Sequence, residues 1–443
     1  MFSRVCIANR GEIAVRIART CRRLGIETHA VHSDADARAM HVRIADGASL
    51  IGPGPVAESY LNIAAVIEAA TRAGCDAVHP GYGLLSENPD FARACAQHDL
   101  AFIGPSADHI DLMGHKNRAR DAMQQFAMPV IPGTAGDLAD DDLHASADAV
   151  GYPLIVKASR GGGGIGMAVV EEPARLDRAV QRARSTATRA FGSSELYLER
   201  QIVGAHHVEV QIFGDTVGQV VHLGERECSV QRRHQKVVEE TPSPSVDARL
   251  RDTLTLHATT AMARLGYRNA GTVECLVAPD GEFFFLEMNT RLQVEHAVTE
   301  MVTGLDLVEW QLRIAAGDSL EMMPLAPPRG HAIEARIYAE DPETFLPAPG
   351  QVRDVHFPAG DGIRVDAAIE PGDEVSQFYD PLIAKLVVWA PDRPRAVAKL
   401  GEALRHTRID GIKHNVPFLQ RVVASTPFVE GDYDIRIVAQ LSE

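Results

Sequence analysis

The sequence predicts a chain of mixed α/β and α+β units, and three observations carry that expectation. At 443 residues it exceeds what one core ordinarily serves, its first hundred residues alternate β-rich runs with amphipathic helices, and its remainder is rich in strands of alternating polarity. Arg4 to Ala8 reads as a strand and Glu12 to Leu24 as a helix, with Ile13, Ile17, Cys21 and Leu24 on one face and Gly25 as the stop. His29 to Ser33, Ala77 to His79 and Ala101 to Ile103 read as further strands, and Ile63 to Ala73 as a helix, so an open parallel sheet is expected. The first turn, Asn9-Arg10-Gly11-Glu12, lacks G-x-G-x-x-G, which argues against a dinucleotide site. A helix around Arg118 to Gln125 leads to a Pro/Gly-bounded segment, Pro129 to Gly136, and an acidic run, where a domain boundary is expected. Strand Leu154 to Ala158, a glycine run, strand Met167 to Val170, helix Arg175 to Ala190 and strand Leu196 to Glu199 then make a small α+β unit. From about Ile202 the chain reads as one large domain with an antiparallel sheet and helices at Arg249 to Leu265, Leu305 to Ala316 and Arg395 to Leu404.

Composition removes several classes of function. With 45% hydrophobic and 23% charged residues the chain is not disordered. Apolar runs fall far short of the roughly 18 residues of a membrane span, and Met1 to Arg10 lacks a signal-peptide core. The formal charge of -16 would repel a nucleic acid. The six cysteines have no C-x-x-C spacing, which predicts reduced thiols in a cytoplasmic protein. Of 44 basic side chains only six are lysine: Lys116, Lys157, Lys236, Lys385, Lys399 and Lys413. A lysine kept against so strong an arginine bias marks either chance survival on the surface or a place that needs a compact point charge.

Four stretches carry chemistry. Gly161 to Gly164 with Gly166 lie between two strands, so neither a Walker loop nor a Rossmann turn fits; the run is either a solvent turn or a flap whose N–H groups reach phosphate, and Lys157 upstream favours the flap. If Asp280-Gly281 turns a hairpin, Glu274 faces Glu287 and Asn289 joins the same face. Opposed carboxylates about 5 Å apart at Cβ need a cation between them, and with an amide oxygen they suit Mg²⁺ better than open solvent. Polar residues at 287, 289, 291, 293 and 295 then alternate with mostly apolar ones: if extended, the stretch is either an exposed edge strand or a site for a small oxyanion and its proton. Gln231 to Lys236 reads as a charged loop that permits anion binding.

Ile7-Ala8-Asn9-Arg10-Gly11-Glu12-Ile13-Ala14, His79-Pro80-Gly81-Tyr82-Gly83, Lys157 with its glycines, Gln231 to Lys236, and Glu287 to His296 together resemble biotin carboxylase, an ATP-grasp enzyme, essentially end to end. The resemblance implies an ATP-grasp fold: a Rossmann-like N-terminal domain (1–112), a helical linker (113–130), a glycine-flap lid (131–201) and a C-terminal catalytic domain (202–443). It implies that Lys116, Lys157, Gly163, Gly164, Glu199, Arg200, Ile202, His207, Gln231, His234 and Leu276 contact ATP, and that Glu274, Glu287 and Asn289 hold Mg²⁺ or Mn²⁺. Lys236, Arg291, Gln293 and the Val294 backbone would hold bicarbonate, Glu295 would be its general base, and Arg336 would stabilise the biotin enolate. The reaction implied is ATP-dependent carboxylation of the ureido N1 of biotin through carboxyphosphate, the first half-reaction of an acyl-CoA carboxylase. No lysine has a methionine neighbour, so a separate biotin carboxyl carrier protein or domain is expected, with carboxyltransferase subunits and a homodimeric enzyme. Ile165, Arg160, His115, Ala297 and His414 depart from the family pattern; Ile165 stands where a basic flap residue is usual. Two other readings stay open at this stage: a biotin-independent ligase passing an acyl phosphate to an amine, and a nucleotide-binding module without catalysis.

Overall fold

The computed structural model describes residues 1–134, 138, 142–159 and 167–441. The glycine run with Gly163, Gly164, Arg160 and Ile165, and most of the acidic boundary run, lie outside the described residues.

Five parallel strands open the chain in the order Gly47–Gly52, Glu27–Ser33, Arg4–Ile7, Ala77–His79, Ala101–Phe102. Val5, Cys6 and Ile7 are buried at its centre because helices cover both faces, which is why this strand is a continuous apolar run. Helix Gly11–Arg23 follows; its inner residues Ile13, Ile17 and Cys21 share one core with Phe213, Ala270, Leu307 and Leu312 of the following domain. Removing such a side chain, as in Ile17→Ala, costs about 2–5 kcal/mol, so this core joins the parallel sheet to the large one.

A second, small sheet has the order Ala168–Val170, Leu154–Ala158, Leu196–Arg200 and is covered by helix Leu176–Phe191 through Leu176, Val180, Ala183 and Ala187. The third sheet carries the site. Its eight antiparallel strands run Phe283–Asn289, Asn269–Val277, His206–Gly214, Val220–Arg232, Gln235–Thr241, His331–Tyr338, Leu382–Ala390, Ile363–Ala367.

Three sequence expectations change. The hairpin turns on three residues, Pro279 to Gly281, not two: Ala278 N–H donates to Glu282 O at 2.7 Å, and Gly281 takes φ +86°. Pairing is therefore displaced by one, with Cys275 opposite Phe285, until a bulge between Cys275 and Glu274 absorbs Leu286 and restores Glu274 opposite Glu287. The stretch after Asn289 is not an extended strand; it turns, and helix His296–Thr303 begins at once. Gln231 to Lys236 is no loop but two strand ends joined by a tight turn, with Arg233 and His234 at φ +50° and +66° and Gln231 paired with Lys236.

Candidate active site

Cross-strand register builds a row of charge through the sheet: Glu287 faces Glu274, Glu274 faces Glu209, and Glu209 faces Arg226. Three carboxylates in line would repel one another strongly unless cations lie among them. Two do. Arg226, fully buried, donates from Nε to Glu209 Oε1 at 2.5 Å and from a terminal nitrogen to Gln211 Oε1 at 2.8 Å. Lys236 donates to Glu209 Oε2 at 2.6 Å, Glu274 Oε1 at 2.7 Å and Glu295 Oε1 at 2.8 Å, so its three protons meet three acidic groups. Burial opposes the charge of Lys236, but these carboxylates outweigh it and hold its pKa well above the ordinary ammonium range. Burial likewise favours neutral Glu274, yet Lys236 and His207 overcome it and keep the carboxylate ionised, far below its ordinary range.

His207 Nε2 lies 2.9 Å from Glu274 Oε2, while Gln231 Nε2 lies 2.8 Å from His207 Nδ1. The amide donates to Nδ1, which leaves Nε2 to carry the proton toward the carboxylate. Lys116 sits at the first turn of helix Lys116–Gln125, 3.2 Å from Glu287 Oε2. Glu274, Glu287 and Asn289 thus offer only oxygen donors from opposed and neighbouring positions of one hairpin, and Glu287 keeps 32% of its side chain exposed. That donor set fits a hard divalent cation such as Mg²⁺, with its open side left for phosphate oxygens.

The turn after Asn289 brings its polar residues to the same place by a different route from the one expected of an extended strand. Arg291 donates to Asn289 Oδ1 (2.6 Å), Gln293 Oε1 (2.9 Å) and Glu87 Oε2 (2.8 Å), and Gln293 Nε2 reaches Glu274 Oε1 at 3.1 Å. Glu295 caps this turn. Its Oε1 accepts from Lys236 and its Oε2 from Arg336 at 3.0 Å; burial is outweighed by Lys236, Arg336 and Arg226, so Glu295 is ionised well below the ordinary range. Arg336 also lies 2.5 Å from Glu239.

Lys157 pairs with Glu199 on the small sheet, both side chains nearly buried. His234 is held neutral by burial and by Lys157. Leu276 is half-buried opposite His207; Ile202 follows the last strand of the small sheet; and Arg200 sends its guanidinium to the Val150 carbonyl at 3.4 Å. Sequence reasoning passed over Glu87, Glu209, Arg226 and Glu334 and left Glu239 beside a basic cluster without a role of its own; the strand residues show theirs only through register, and Glu87, on a loop, through its contact with Arg291.

A small three-stranded sheet carrying Lys157 and Glu199, a larger antiparallel sheet carrying Lys236 and its glutamates, and a parallel-sheet domain together have the make-up of an ATP-grasp enzyme. Three family models match in succession: biotin carboxylase, N-terminal domain (residues 1–110), carbamoyl-phosphate synthase L chain, ATP binding domain (115–323), and biotin carboxylase C-terminal domain (334–440). A biotin carboxylase of Halalkalibacterium halodurans is 53% identical over 438 residues, 98% of this chain and 96% of that protein. The biotin carboxylase complex from Campylobacter jejuni superposes with a TM-score of 0.97 at 44% identity, covering 99% of each chain. The biotin carboxylase domain dimer of Hydrogenobacter thermophilus 2-oxoglutarate carboxylase, solved with MgADP, ADP and bicarbonate, gives 0.96 at 41%, covering 100% of this chain and 99% of that one. The chain belongs to the biotin carboxylase family and is an ATP-dependent carbon–nitrogen ligase.

Proposed function

We propose that the cleft carboxylates the ureido N1 of biotin presented by a separate carrier protein or domain, using ATP and bicarbonate, and passes the product to carboxyltransferase subunits. The observation that carries this reading is the single cluster in which Lys236 joins the carboxylates Glu274 and Glu295 while Arg291 and Gln293 face the same space.

Lys116, Lys157, His207, Gln231 and His234 bind the nucleotide, with Glu199, Arg200, Ile202 and Leu276 at its base; Gly163 and Gly164 close over its phosphates. Glu274, Glu287 and Asn289 hold Mg²⁺, which when bound neutralises charge on the phosphoryl oxygens. Arg291, Gln293, Lys236 and the Val294 backbone seat bicarbonate. Both oxygens of Glu295 are occupied by cations, so it is a poor base as it stands. When Lys236 turns toward the incoming anion it releases Oε1, and Glu295 gains basicity as its substrate arrives. The deprotonated bicarbonate attacks the γ-phosphorus, ADP leaves, and carboxyphosphate breaks down to CO₂ and phosphate. That phosphate takes the N1 proton, Arg336 stabilises the biotin enolate, and N1 adds to CO₂. With the chain divided at 112, 130 and 201, closure of the lid over the nucleotide excludes water from carboxyphosphate. A homodimer working in the cytoplasm completes the reading; among the described residues no helix is long and apolar enough to cross a membrane.

The deciding assay is ADP release with Mg²⁺ and bicarbonate, with and without free biotin. Stimulation by biotin is expected. Stimulation by an amine and not by biotin, or ATP binding with no bicarbonate-dependent turnover, would overturn the reading.

A further inference from the structure

Three of the six lysines meet the nucleotide or bicarbonate in the reading above, and Lys399 and Lys413 reach a loop carbonyl and Asp341 at the surface. Lys385 is different. It stands in the middle of strand Leu382–Ala390, paired in register with Arg336, with no exposed surface. A lysine almost never sits fully buried without paired partners. Its Nζ donates to the carbonyl oxygen of Val294 at 2.7 Å and lies 3.4 Å from Glu12 Oε1 and 3.8 Å from Asp366 Oδ2.

Glu12 explains a motif that the chemistry of the cleft leaves unused. It is the last residue of Asn9-Arg10-Gly11-Glu12, it is 4% exposed, and neither carboxylate oxygen has a hydrogen bond. Burial raises its carboxyl to about 7 and the ammonium of Lys385 opposes that rise, so Glu12 is the carboxyl packed nearest Lys385 Nζ. Asp366 is held by Arg364, whose other arm reaches Glu300, and Glu300 in turn meets Arg16. The ammonium thus stands at the inner end of a braced chain of alternating charges that starts at the surface.

We propose that Lys385 is a positioning residue for the bicarbonate step, fixing the Val294–Glu295 peptide and with it the general base. The carbonyl of Val294 and the amide nitrogen of Glu295 are one planar unit, so a grip on the oxygen orients the backbone that leads into Glu295. The preceding carbonyl, of Gln293, is held at 2.8 Å by His296 Nδ1. Two successive peptide planes are thus pinned, one by a neutral ring and one by a cation. A compact ammonium donates to one carbonyl while standing 3.4 and 3.8 Å from two carboxyl oxygens on other sides, a placement the planar fork of arginine does not match. This accounts for a lysine here in a chain that otherwise prefers arginine.

The inference rests on Glu295 acting as base, and the test separates the two. Lys385→Met alone leaves Glu12 buried without its cation, so the informative protein is Lys385→Met with Glu12→Gln, which removes the ammonium and its buried carboxyl partner together. The full-length double variant is expected to keep its melting temperature within a few degrees and its KM for ATP within about twofold. Its kcat/KM for bicarbonate should fall about ten- to a hundredfold, the scale of a misplaced catalytic group. Wild-type bicarbonate kinetics, a parallel loss of ATP affinity, or a double variant that does not fold would each overturn the positioning role. A fully active Glu295→Gln would instead remove the underlying assignment of the base.

Discussion

Two pairs of glutamates face each other across neighbouring strands of the large sheet, and they resolve the same conflict in opposite ways. Glu274 and Glu287 are met by Lys236, His207 and Lys116, and Glu274 is ionised well below its ordinary range despite burial. Glu239 and Glu334 are both fully buried and directly opposed. Burial lifts Glu239 to about 7 against the pull of Arg336, and lifts Glu334 well above its ordinary value against that of Lys385. Opposition alone therefore does not decide charge. The balance between burial and the cations close to each carboxyl does, leaving Glu274 below its ordinary range and Glu239 and Glu334 above theirs.

The comparison breaks most visibly at the first pair. Glu274→Gln or Glu287→Gln should abolish Mg²⁺-dependent ADP release, by at least about a hundredfold, and near-normal rates across a Mg²⁺ titration would leave that pair without its metal role. Next comes Glu295→Gln, expected to lower bicarbonate-dependent ADP release about 10²–10⁴-fold while ATP binding, followed by nucleotide titration, stays intact.

The second pair is sharpened by pH. A carboxyl whose folded pKa is raised favours the fold below its unfolded value, near 4.5, and that contribution is lost as pH rises through the folded value. Glu239→Gln should therefore remove a fall in melting temperature between about pH 4.5 and 7, and Glu334→Gln one that extends higher; each shift is a few degrees. Glu274 runs the other way, its contribution present above 4.5 and lost as pH falls. Equal pH slopes in wild type and the Glu239 and Glu334 variants would erase the contrast. Smallest is Ile165→Arg: a basic residue at this position should lower the KM for ATP severalfold if it meets phosphate, and an unchanged KM would show that Ile165 costs nothing.

Much of this was legible before any coordinates. Periodicity placed four of the five parallel strands, the small α+β unit and the helices that were read to within a residue or two, because those elements bury one face each, whereas strand Gly47–Gly52 and helices such as Pro89–Gln97 and Val416–Ala424 went unread. The Glu274–Glu287 pairing was also readable, although by two departures that cancel: a longer turn and a bulge. What local pattern could not reach was the turn from Thr290 to Glu295, where alternating polarity came from side chains converging on one space, and not from a strand. Nor could it reach Glu209, Arg226, Glu239 and Glu334, whose partners lie one strand away but many residues distant. Lysine scarcity pointed at Lys385, yet only the sheet register shows which carbonyl it holds.

The line of ions from Arg16 through Glu300, Arg364 and Asp366 to Lys385 runs from an open surface hollow, which its outer members line, to an ammonium with no exposed surface. Mobile electrolyte reaches the hollow but not the buried end at Lys385, and exposed pairs such as Arg72 with Glu68 are screened within about 10 Å at 0.1 M ionic strength. Concentrated brine should thus loosen the outer ion pairs of this protein long before it disturbs the Val294 carbonyl that Lys385 holds.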